Sequence, residues 1–176
     1  MDSIRRFWLP YTCYYITMRG NNRQEIFHSS SDYNDFTQII QKASSKFSFS
    51  LMAYCLLNNQ YHLLIRSSEV PIPEIMLFIN KTYACHYKKK YKWTGQLYES
   101  NFFTSMIRTE RELFQLSNLI YEQPRLAGIA SNIEDYPYSS FYVPSYSKIP
   151  CHQFSFIVLP KKPSGNKSRK TSIRME

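Results

Sequence analysis

Apolar positions along the chain alternate between a two-residue and a helical period, and each switch marks an element. Tyr11 to Arg19 alternates and is rich in Tyr, Thr and Ile, which predicts a strand ending in the polar loop Gly20–Gln24. Ser31-Asp32 reads as a helix N-cap, and Phe36, Ile39, Ile40, Ala43 and Phe47 recur on one helical face behind it. Phe49 to Leu57 predicts a strand with Phe49, Leu51, Ala53, Cys55 and Leu57 on one side. Asn58-Asn59 is a turn signal, and Tyr61 to Arg66 returns as the hairpin partner. A second helix starts near Pro71 or Pro73 and runs through Ile75, Met76, Ile79, Tyr83 and Tyr87 to a lysine-rich end. Gly95 interrupts it, and Phe102 to Ile107 follows as a strand. Thr109 and Glu112 form a capping box, so a third helix runs from about Glu110 until Pro124 stops it. The segment from Asp135 to Phe141 is irregular and aromatic. Strand, helix, hairpin, helix, strand, helix is an α+β order, and a ferredoxin-like antiparallel sheet with helices packed on it is the expected architecture.

Composition narrows the partners. The chain has 176 residues, 43% of them hydrophobic and 16% aromatic, enough for a packed core. It carries a formal net charge of +9. Lys161, Lys162, Lys167, Arg169, Lys170 and Arg174 against Glu176 place five of those charges in the C-terminal stretch. This divides the chain into an N-terminal segment 1–10, a folded domain 11–159 and a basic, disordered tail 160–176. Apolar runs such as Leu63–Ile65 fall far short of the ~20 residues that span a bilayer. The N-terminus lacks a signal-peptide segment, so a cytoplasmic protein is expected, with association to the nucleoid left open. Cys13, Cys55, Cys85 and Cys151 form no CxxC pair and read as reduced thiols. Cations hold phosphates and rings stack on bases, so excess positive charge with Tyr 15 and Phe 12 points towards nucleic acid.

Five blocks in order carry a resemblance covering roughly Tyr14 to Tyr142. They are YITMRGNNRQ from Tyr15, MAYCLLNNQYHLLI from Met52, INKTYA from Ile79 leading to YKWTGQL from Tyr91, PRLAG from Pro124, and DYPYSSF from Asp135. On these the chain resembles the REP-associated tyrosine transposases, within the single-tyrosine HUH enzymes that cut single-stranded DNA. The resemblance implies the HUH endonuclease fold, a Mg²⁺ or Mn²⁺ ion held by two histidines one residue apart, and a helix tyrosine that attacks the scissile phosphate. It also implies where this chain departs. Gln60 stands at the first histidine position and His62 at the second. Leu119 stands at the nucleophile position, and Gln123 at the third metal ligand. Leucine cannot attack phosphorus. Tyr121 is the substitute nucleophile to test, but two residues along a helix is a turn of about 200°, which aims it away from Leu119 and Gln123. Gln96 and Asn101-Phe102-Phe103 replace a His and an Arg-Phe-Lys-like triplet. Departures at chemical positions, with the scaffold kept, suggest a fold retained after its endonuclease activity was lost.

The groups left for binding are cationic and aromatic. Arg19, Asn21, Asn22 and Arg23 can clamp phosphate or read base edges. Lys88, Lys89, Lys90 and Lys92, interleaved with aromatics including Trp93, combine charge with stacking surface, and Lys81 lies in the third block. The expected function is recognition of single-stranded or hairpin DNA without strand cleavage, by a monomer or a homodimer. An active transposase with a non-standard nucleophile and an RNA-hairpin-binding regulator are the alternatives.

Overall fold

The computed structural model describes residues 8–99 and 101–141; the expected tail, and the domain boundary at 159, lie outside the described residues. Four strands and three α-helices follow the chain as β1 (Thr12–Arg19), α1 (Ser30–Phe47), β2 (Phe49–Leu57), β3 (Gln60–Ser67), α2 (Ile72–Tyr91), β4 (Phe103–Ile107) and α3 (Glu110–Leu126). The strands form one antiparallel sheet in the order β2-β3-β1-β4, the expected ferredoxin-like arrangement.

Alternation decides which side chain meets which helix. Tyr14, Ile16 and Met18 of β1 and Tyr61, Leu63 and Ile65 of β3 are buried under α1 and α2, with Phe36, Ile40, Ile79 and Tyr83. The other face carries a smaller core, in which Cys55, Leu57, Leu64 and Ile107 pack with Ile120 of α3 and Tyr136. Residues 138–140 close the outer edge of β2: Leu56 N–H donates to the Tyr138 carbonyl at 2.9 Å and Ser140 N–H to that of Tyr54 at 3.0 Å.

Three sequence expectations are corrected. In β2 a bulge between Leu51 and Ala53 shifts the register. Phe49 and Leu51 therefore join the α1/α2 core, while Ala53, Cys55 and Leu57 join the α3 core. Pro124 does not stop α3, which continues to Leu126. Proline removes one donor and one bond to the preceding turn, which this last turn tolerates, and Gly128 with φ of 68° ends the helix in the left-handed region. The α1 cap is Ser29, two residues earlier than expected, because Asp32 reaches back to it: its carboxylate accepts from the Ser29 N–H at 2.9 Å and the His28 N–H at 2.8 Å.

Candidate nucleic-acid interface

Antiparallel pairing sets Arg19 opposite Gln60 and Thr17 opposite His62. These side chains, with Tyr15, lie on the sheet face that carries α3. His62 is buried. Its Nδ1 is hydrogen-bonded to the Tyr15 hydroxyl at 2.7 Å, and its Nε2 is buried without a partner. Burial, helped by the Arg19 charge, pushes the imidazole down to about pKa 4, so the ring is neutral at neutral pH. Gln60 Oε1 accepts from Arg19 Nε at 3.2 Å.

That last bond decides how well the site suits a metal ion. A hard divalent cation takes oxygen ligands, carboxylates above all. Here the amide oxygen of Gln60 faces a guanidinium, whose positive charge opposes a second cation beside it. Gln123 on α3 donates its amide Nε2 to the Leu119 carbonyl at 3.1 Å, within its own helix. Among the described residues no three His, Cys, Asp or Glu side chains gather in a metal-holding group. His62 Nε2 with two neutral amides does not fit Mg²⁺ or Mn²⁺.

At the nucleophile position, Leu119 is exposed on α3. Tyr121 points the other way, as the helical rotation requires, and is half-buried against the Phe141 ring with centroids 5.1 Å apart. Burial pushes its phenol up from the ordinary tyrosine range, and the Ser140 hydroxyl offsets only part of that. Tyr121 thus packs α3 against the segment at Phe141.

The cationic residues gather at one end of the sheet. After Arg19 the chain turns through Asn22 and Arg23, both left-handed with φ of 50° and 60°. Glycine is required at position 20, where a Cβ would stand 2.2 Å from the Gln24 carbonyl oxygen. This turn is laced to the segment that follows α2. Asn21 N–H donates to the Leu97 carbonyl at 2.9 Å, Gln24 Nε2 to the same oxygen at 3.0 Å, and Glu99 N–H to the Arg19 carbonyl at 3.0 Å. The basic end of α2 leads directly into that segment, so Arg19–Arg23 and Lys88–Trp93 share one end of the molecule. Lys88, Lys89 and Lys92 are exposed, as is Trp93, whose ring meets Tyr87 edge-on. Lys81 is exposed two turns earlier on the same helix.

Lys90 has a different job. Its Nζ lies 2.6 Å from Asp32 Oδ1 and 3.4 Å from Asp35 Oδ2, and it also donates to Ser31 Oγ at 2.6 Å. Its charge pins the end of α2 to the start of α1, so this member of the expected nucleic-acid-binding set is ion-paired within the fold. Asp32 was read in the sequence only as part of a Ser31-Asp32 cap; its place three residues after Ser29 is the signal for the capping box that it forms. Tyr15 and Phe103 were missed as well. Alternation along β1 puts Tyr15 beside Thr17 and Arg19, and Phe103 pairs across from Thr17.

A family model described as "Transposase IS200 like" matches residues 10–123. The chain belongs to this IS200-like transposase family. A Haemophilus influenzae protein named for the REP-associated tyrosine transposases is 24% identical over 160 residues, covering 81% of this chain and 86% of that one. A REP-associated tyrosine transposase solved bound to a REP hairpin shares the fold. Its TM-score is 0.68 at 19% identity, over 80% of this chain and 83% of the other. No helix among the described residues is long and apolar enough to cross a bilayer.

Proposed function

We propose that this IS200-like chain binds single-stranded or hairpin DNA at the basic end of its sheet and does not cut it. The observation that carries the reading is the Arg19–Gln60 hydrogen bond: a guanidinium stands where the chemistry needs a cation-binding pair. Leu119, exposed at the position that the resemblance assigns to the nucleophile, points the same way. The family and the hairpin held by the structurally similar transposase support the ligand class. Arg19 in this arrangement serves binding: it holds Gln60, adds to the burial that keeps His62 neutral, and leaves its outer nitrogens for phosphate or base. No bound metal is needed for that role.

Salt dependence tests the binding half. Each phosphate neutralised on a single strand contributes a log–log slope of roughly −0.7. The expected result is that replacing Lys88, Lys89 and Lys92 together by Ala flattens the slope by up to about 2 for three contacts, whereas Lys90→Ala chiefly lowers stability. His62→Ala leaves the slope unchanged, because a neutral buried ring releases no counterions. An unchanged slope in the triple variant would reduce those lysines to a solvated helix end. Matched DNA and RNA hairpins in the same titration separate the DNA reading from an RNA-binding one, which predicts the tighter complex with RNA.

A further inference from the structure

Away from the sheet site, a tyrosine, a histidine and a carboxylate line up at the end of α2. The Tyr87 hydroxyl lies 2.7 Å from His28 Nε2, and His28 Nδ1 lies 3.1 Å from Glu25 Oε2. An ionised carboxylate only accepts hydrogen bonds, so Nδ1 carries the proton and the neutral ring keeps its lone pair at Nε2, facing the Tyr87 hydroxyl. The Glu25 carbonyl, at 3.3 Å, is the other acceptor within reach of that hydroxyl. A nucleophile, a base and a group that orients the base make up the arrangement of covalent catalysis. Tyr87 is only 3% exposed, however, which leaves little of it open to a substrate. An electron needs no such opening, and the fold gives it a way out. Lys92, left-handed with φ of 50°, turns the chain back after α2, and the Trp93 N–H donates to the Lys88 carbonyl at 3.1 Å. The Trp93 ring thereby meets Tyr87 edge-on, 6.3 Å between centroids, and is itself exposed in the same stretch as Lys88, Lys89 and Lys92.

We propose, resting on the nucleic-acid reading above, that Tyr87 is an electron donor which, through Trp93, restores a one-electron-oxidised guanine in bound DNA. Guanine is the most easily oxidised of the bases, so an electron missing from DNA is missing there. The guanine radical cation takes an electron from the Trp93 indole, and the resulting indole radical cation takes one from Tyr87. In that second transfer the Tyr87 hydroxyl gives its proton to His28 Nε2, along the 2.7 Å hydrogen bond. The products are the intact guanine, the indole unchanged, a neutral Tyr87 phenoxyl radical and a His28 imidazolium held by Glu25. A phenol that loses an electron becomes a strong acid, so a ready proton acceptor is what distinguishes a donor from a packing ring. Tyr91, with its ring 4.8 Å from that of Tyr87, has a poorer one. Its hydroxyl donates to Asp32 at 2.7 Å, and that carboxylate, held at about pKa 2 by its other donors, takes up a proton only in acid.

The test uses the full chain and a hairpin DNA that carries two adjacent guanines and a tethered ruthenium polypyridyl complex. A flash with an oxidative quencher turns the complex into a one-electron oxidant and leaves the missing electron on guanine. Guanine damage is read as base-labile strand breaks, the tyrosyl radical by its transient absorption, and affinity by anisotropy. Bound wild-type chain is expected to cut the damage severalfold while the tyrosyl signal rises. That signal should form more slowly in D2O, because a proton moves with the electron. Tyr87→Phe should abolish both the signal and the protection at unchanged affinity, which also shows that the variant is folded. His28→Gln leaves a hydrogen-bonding group beside the phenol that takes up no proton, and should slow the signal severalfold. If bound Tyr87→Phe protects guanine as wild type does, or if His28→Gln gives the signal at the wild-type rate, Tyr87 is not the donor. Retained hairpin affinity in that case leaves the nucleic-acid reading standing. Absence of binding to the hairpin overturns that reading and the proposal with it.

Discussion

Replacing Asp32 by Ala is expected to lower the unfolding free energy by about 3 kcal/mol, read from the urea midpoint at unchanged m-value. Asp32 is buried, and it collects donors from two parts of the chain: the His28 and Ser29 N–H groups before α1, and the Lys90 ammonium and the Tyr91 hydroxyl, at 2.7 Å, at the end of α2. Burial alone would raise its pKa; the hydrogen bonds from Lys90, Tyr91, His28 and Ser29 outweigh this and hold it at about 2. Removing one partner of a buried ion pair typically costs ~3–5 kcal/mol. The lower end applies here because Lys90 is partly exposed and regains water. Since the folded pKa lies below the ordinary 3.8, this stability is present above pH 3.8 and is lost as pH falls towards 2. A loss below about 1 kcal/mol would mean that the cluster is a solvated surface network.

The second large effect belongs to His62 and lies in a different pH window. Its folded pKa of about 4 is below the ordinary 6.5, so between those values the unfolded chain takes up a proton that the native ring refuses. Stability should therefore fall as the pH drops from 6.5 to 4, by up to ~3 kcal/mol, and this contribution should level off below pH 4. The Tyr15 hydroxyl bonded to the ring has its own pKa pushed up by burial, so it stays protonated through that range. His62→Gln should remove this slope, and the difference between wild-type and variant stability curves isolates it. A His62 resonance titrating near 6.5 in NMR would show the ring to be hydrated and the packing of Tyr15 against it wrong.

Much of this was legible in the sequence, for reasons that particular residues make plain. The strand–helix order follows from apolar period, and the Asn58-Asn59 turn fixes the β2–β3 hairpin. The side of β2 was not legible after Leu51. Leu51, Met52 and Ala53 are all apolar, so an extra residue changes face without disturbing the pattern. Pro124 misled because its cost depends on where in a helix it falls, and the end of α3 is set by Gly128. Residue types at the chemical positions were open to reading, since Gln60 and Leu119 are what they are in any fold. The partner that Gln60 takes was not, because the Arg19–Gln60 bond joins residues 41 apart through sheet register. Lys90 stood among equals in its run until α1 brought Asp32 and Asp35 against it. Phe103 was legible as a departure from a cationic position, but its exposure beside Arg19 and Glu99 is a property of the edge strand.

The central claim is binding without cleavage, and one measurement reaches it most directly. End-labelled hairpin DNA with a single-stranded flank is incubated with the full chain and Mn²⁺ and run on a denaturing gel. The account predicts full-length DNA and no label at the mass of the protein, under conditions where a native gel shows the complex. A covalently labelled protein band that Tyr121→Phe abolishes would contradict it, and would place a working nucleophile on the side of α3 that here packs against Phe141.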